Sequence, residues 1–193
     1  MKDEHAAKFI SGITHPLFVL ILGLSYALFD IVIKHNPFEY IAFLFLVTVF
    51  PVYFYFWQLY KEKRNGNGTF SLTRENRNPV YLAAFLGAVF TVLICKAFNL
   101  NYFWMYNGML LCIFFGVLYF VNKFIDKMSL HAYVWSFVII YLANAVSLYW
   151  LVGLLMLPLI AQARIVLEKH NKFQLFLGGS LGMFIALISW TFV

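Results

Sequence analysis

The segment ARIVLEKHNKFQLFLGG, residues 163–179, sets an arginine, a histidine and a glutamine between two strongly apolar stretches. Charged and titratable groups beside hydrocarbon are costly, so Arg164, His170 and Gln174 are candidates for function. Their types point to an anion. The planar fork of arginine donates bidentately to phosphate. A helix opening near Asn171 would add unpaired backbone N–H groups and the positive end of its dipole. Gln174 lies four residues after His170, so on one helix the two side chains share a face. Its carbonyl oxygen can accept the Nδ1 proton of His170 and leave Nε2 bare, although it cannot supply the negative charge that stabilises an imidazolium.

Two further stretches stand at the start of apolar runs: TRENRNP (73–79) and MSLH (128–131). Ser129 can cap a helix with His131 in its first turn. Arg74 and Arg77 stand one helical turn apart, and Pro79 suits a first-turn position that needs no N–H donor. In this order the three motifs resemble the signatures of the type 2 phosphatidic acid phosphatase superfamily of membrane lipid phosphatases: Lys-x6-Arg-Pro, Pro-Ser-Gly-His and Ser-Arg-x5-His-x3-Asp. Arg77 stands for the first arginine, Ser129 and His131 for the second motif, and Arg164 and His170 for the third. The resemblance covers roughly residues 70–185. The departures are specific. Phe70 occupies the lysine position, with Arg74 as a substitute one turn from Arg77, and the proline is shifted to Pro79. Met128, Leu130 and Ala163 replace proline, glycine and serine, and Gln174 stands in place of the aspartate.

The resemblance implies a mechanism. His170 would attack phosphorus and form a phosphohistidine, splitting one hard step into two. His131 would protonate the leaving oxygen and then activate water. Arg164, Arg77 and Arg74 would hold the phosphoryl oxygens, with Ser129 and nearby backbone N–H groups donating where charge accumulates. That chemistry requires no metal or other cofactor, and the histidines and carboxylates lack a compact metal-ligand spacing.

The elements that must position these groups are membrane helices. Of 193 residues, 63% are hydrophobic and 11% charged, against about 25% charged in soluble chains. Hydropathy gives spans at about 16–34, 39–60, 79–98, 102–121, 129–146, 148–163 and 172–192, each near the roughly 20 residues a bilayer requires. The expected fold is therefore all-α, a polytopic bundle of six to seven transmembrane helices. It forms one membrane domain, 1–193, with an N-terminal two-helix extension at about 16–60 before the phosphatase-like core. Two spans separate each polar segment from the next. The loop 61–78, the segment 122–128 and the stretch 164–172 therefore share a side with the N-terminus. That side carries twelve of the fourteen lysines and arginines, with only Lys34 and Lys96 opposite. By the positive-inside rule it faces the cytoplasm. It also receives three helix starts, near Pro79, Ser129 and Asn171. The expectation is an integral protein of the bacterial inner (plasma) membrane, with N-terminus and site facing the cytoplasm.

The +6 net charge belongs to topology and anionic lipid, not to nucleic acid. Cys95 and Cys112 read as free thiols in apolar runs. Lys96 and Asp30 read as interfacial, and His5, His15 and His35 have no evident partner. The expected substrate is a membrane lipid phosphate or diphosphate, isoprenyl or phosphatidate-like. The alternative is a catalytically degenerate relative that binds lipid or serves as a subunit of a membrane-protein complex. A small transporter is disfavoured by the scarcity of ionisable groups at mid-membrane depth.

Overall fold

A computed structural model describes residues 2–32, 37–64 and 74–191, and every regular element among them is helical. In chain order these are α1 (Lys2–Ile13), α2 (Pro16–Val32), α3 (Pro37–Arg64), α4 (Arg74–Ala97), α5 (Tyr102–Phe120), α6 (Leu130–Ala145), α7 (Leu157–Val166) and α8 (Lys172–Ile188). A π-helical turn, Val121–Ile125, extends α5, and a 3-10 stretch, Leu148–Met156, leads into α7. The chain forms two compact units, Met1–His35 with Lys127–Val193, and Asn36–Asp126. The sequence segments 16–60 and 70–185 each contribute helices to both.

In the first unit α6 is the central helix. Apolar nearly all round, it is buried from His131 to Ala143 with the one partial exception of Trp135, as expected of a helix with neighbours on every side. It packs on α2, α7 and α8. Helix α1 begins well before the expected first span and packs against α7, with Ala7 and Thr14 buried. Pro16 has no N–H to continue the helix, so His15 N turns back to the Gly12 carbonyl (3.2 Å) and α2 restarts with Val19 N donating to the His15 carbonyl (3.0 Å). Pro158 sits in the first turn of α7, where no N–H donor is required.

The second unit runs up, down and up through α3, α4 and α5. At one end Asn76 Nδ2 donates to Glu62 Oε1 (2.7 Å) and Asn122 Nδ2 to Asn78 Oδ1 (2.7 Å). Towards the other, Trp104 Nε1 donates to Glu39 Oε2 (2.7 Å) and its ring lies 5.2 Å from that of Phe43. Glu62 and Asn122 are buried, so each bond gives a polar partner to a group that is costly beneath the surface. Outward positions on the same helices are apolar, among them Phe45, Phe56, Leu86 and Phe90.

Five helical runs among the described residues are long and apolar enough to cross a membrane: Glu4–Ala27, Ile41–Arg64, Asn76–Ala97, Tyr102–Ile125 and Leu148–Val166. Two of the seven expected spans are shorter, α6 with 16 residues and α8 with 17. At 1.5 Å per residue these reach roughly 24–26 Å, against a hydrocarbon thickness of about 30 Å.

Candidate functional site

Helices α6 and α8 lie side by side and parallel. Ser129 N donates to the Gln174 carbonyl at their starts (3.1 Å), and Asn144 Nδ2 donates to Ser189 at their ends (3.1 Å). Glycines bring the backbones together: a Cβ at Gly178 would stand 2.6 Å from the Ser129 carbonyl oxygen, and one at Gly182 would collide with the Tyr133 carbonyl and Ser136 Oγ. Two of the three expected helix starts therefore meet in the first unit. The third differs from expectation. Helix α4 opens at Arg74, five residues before Pro79, because Asn76 and Asn78 find partners on α3 and on the π turn. Pro79 thus stands inside the helix, where it cannot donate to the Glu75 carbonyl.

Ser129 holds the N-cap position of α6, yet its side chain makes no capping bond. It is fully buried, and its Oγ has no hydrogen-bond partner among the described residues. Such a hydroxyl costs about 1–3 kcal/mol.

Helix α7 ends so as to carry the third motif around a tight corner. Glu168 N donates to the Ile165 carbonyl and Lys169 N to the Arg164 carbonyl, with Glu168 at φ 52°. That is the Schellman pattern, and it folds the five residues between Arg164 and His170 into a compact turn. His170 then precedes α8 in the chain and is buried. Asn171 caps α8 through Oδ1, which accepts from Gln174 N (2.8 Å), and Gln174 Oε1 reaches back to Asn171 N (3.4 Å) and to His170 Nδ1 (3.1 Å). The expected pairing of His170 with Gln174 is present, but not through a shared helix face: His170 lies outside the helix, and the capping box folds the glutamine back to it. Because Oε1 already accepts from a backbone N–H, the ring must donate to it. Nδ1 carries a proton, so in the neutral ring the lone pair is on Nε2.

His131 and Arg164 converge on a residue that sequence reasoning missed. Arg164 Nη1 donates to Ser11 Oγ (2.7 Å), and His131 Nε2 lies 3.2 Å from the Ser11 carbonyl and 3.4 Å from its Oγ. A carbonyl only accepts, so this His131 nitrogen carries its proton. His15, one turn beyond Ser11, has its ring centroid 6.2 Å from that of His131. His131 is within electrostatic reach of Arg164, His15 and His170. The signal that could have found Ser11 and His15 is their i, i+4 spacing in FISGITHP, which lies before the expected first span at about 16–34.

Arg77 and Arg74 belong to the second unit. Arg77 hydrogen-bonds the Tyr81 hydroxyl and, with Glu62, acts electrostatically on Tyr55. Arg74 opens α4, and its side chain, like the whole of Phe70, lies outside the described residues.

The chain matches none of the protein family models, curated proteins or solved structures with which it was compared.

Proposed function

We propose that this chain is an integral membrane lipid phosphatase that hydrolyses a lipid phosphate or diphosphate, isoprenyl or phosphatidate-like, through a phosphohistidine on His170. The observation that carries this reading is the His170–Gln174 pair: an oxygen pinned as acceptor selects, in the neutral ring of a buried histidine, the tautomer a nucleophile needs. Arg164, His131 and the unpartnered Ser129 hydroxyl belong to the same group of helix ends. They offer a fixed cation, a proton carrier and a waiting polar group for phosphoryl oxygens. The five long apolar helices support a polytopic membrane protein, placed in this reading in the bacterial plasma membrane, and the charge bias supports a site on the cytoplasmic side. The lipid chain would remain in the bilayer as the head group enters.

Phosphate release from the purified protein in detergent, with chelator present, tests this. Against a panel of prenyl diphosphates and phosphatidate, wild type should turn over at least one substrate, and His170→Ala should lose about a thousandfold or more. Full activity in His170→Ala sinks the phosphohistidine reading. A second reading, a catalytically degenerate relative that binds lipid phosphate or sits in a membrane complex, is favoured by the neutral Gln174. It predicts phosphate binding without turnover.

A further inference from the structure

Ser11 holds both groups that the proposed chemistry would use on the phosphoryl oxygens. Its Oγ takes the Arg164 Nη1–H at 2.7 Å, and its carbonyl takes the His131 Nε2–H at 3.2 Å. The serine is carried on α1, a helix of 12 residues that packs on α7, the bearer of Arg164. The break at Thr14 and His15 separates α1 from α2.

We propose that α1 is a built-in occupant of the anion site, with Ser11 standing where a phosphoryl oxygen binds, and that a phosphate group enters by displacing it. This rests on the phosphatase reading of the same site. Three features make the exchange feasible. The serine hydroxyl is a neutral acceptor, and a phosphoryl oxygen is a charged one that forms a roughly twice stronger bond with guanidinium. One residue makes both contacts, through its side chain and its backbone carbonyl, so a single shift of α1 frees both groups. The Pro16 interruption lets α1 shift without unwinding α2, because no N–H at that position ties the two together. Ser11 therefore sets a threshold: weakly held anions leave α1 in place, and a phosphate able to engage Arg164 and His131 together moves it.

Orthovanadate, a mimic of the five-coordinate phosphoryl group, provides the test. Its affinity for the purified full-length protein in detergent would be measured by calorimetry for wild type and Ser11→Ala. Amide hydrogen exchange over residues 8–13 would be followed with and without vanadate. Ser11→Ala should bind about tenfold tighter, since Arg164 no longer gives up a partner, and exchange over 8–13 should speed up in wild type when vanadate binds. If wild type binds vanadate while Ser11→Ala binds equally or more weakly, and α1 exchange is unchanged or slowed, the displacement model falls. Ser11 is then part of the cradle and the phosphate reading stands. If neither protein binds vanadate although both melt cooperatively, the phosphate reading falls and takes the displacement model with it.

Discussion

One oxygen of Gln174 serves two donors, the Asn171 backbone and the His170 ring. The double duty lets a neutral amide orient the ring. It fixes the tautomer, and it leaves the imidazolium uncompensated. Substituting amide for acid in a serine-protease triad costs about 10⁴ in turnover, with the wrong tautomer as the main fault. Here the tautomer is right, so the penalty should be smaller. Gln174→Glu keeps the capping-box length and adds the charge, and phosphate release should rise by about tenfold or more. Gln174→Leu should lose about a hundredfold in turnover and about 1 kcal/mol in stability, read by thermal melting. The partner of His170 was legible from a spacing of four residues, although the geometry that joins them was not. A capping box depends on where the helix begins, and the sequence placed both residues on one helix. Ser11 was illegible for a different reason. Its role depends on Arg164 and His131, more than a hundred residues away, and the local i, i+4 spacing to His15 does not point to either of them.

At the level of elements, the site depends on how closely α6 and α8 approach and on how sharply α7 turns. Gly182→Ala would drive a methyl into the Tyr133 carbonyl and should cost about 1–3 kcal/mol. Gly179 is buried too, yet a Cβ there meets nothing within 4 Å, so Gly179→Ala should be neutral or gain up to about 1 kcal/mol from helix propensity. Opposite signs at neighbouring glycines, measured by thermal unfolding in detergent, would separate close packing from mere flexibility. Glu168, held in the left-handed region without being glycine, makes the complementary case. Glu168→Gly should stabilise by about 0.5–1 kcal/mol, because the Cβ strain exceeds the added freedom of the unfolded chain. The helices themselves were readable from hydropathy because long apolar runs leave few options. The start of α4 was misjudged because Asn76 and Asn78 look like loop residues until Glu62 and Asn122 are seen to meet them.

The charge bias predicts one orientation for the helix ends within each unit. In the first unit α2, α6 and α8 start where α7 ends; in the second, α4 starts where α3 and the π turn end. Reporter fusions after Arg64, after Ile125 and after Glu168 should therefore report cytoplasm, and those after Asn99 and Val146 the far side; an inverted pattern overturns the orientation. The short α6 and α8 sit beside a run lengthened by other means. Leu148–Met156 winds as 3-10 helix for nine residues, well beyond the usual three or four. Rewound as α-helix, those nine residues would be about 4.5 Å shorter. Arg164 is suspended from the end of that segment, so its depth is a matter of winding. Each residue wound as 3-10 helix instead of α-helix adds about 0.5 Å to the run, so the nine together place Arg164 about 4.5 Å further along the axis than an unbroken α-helix would.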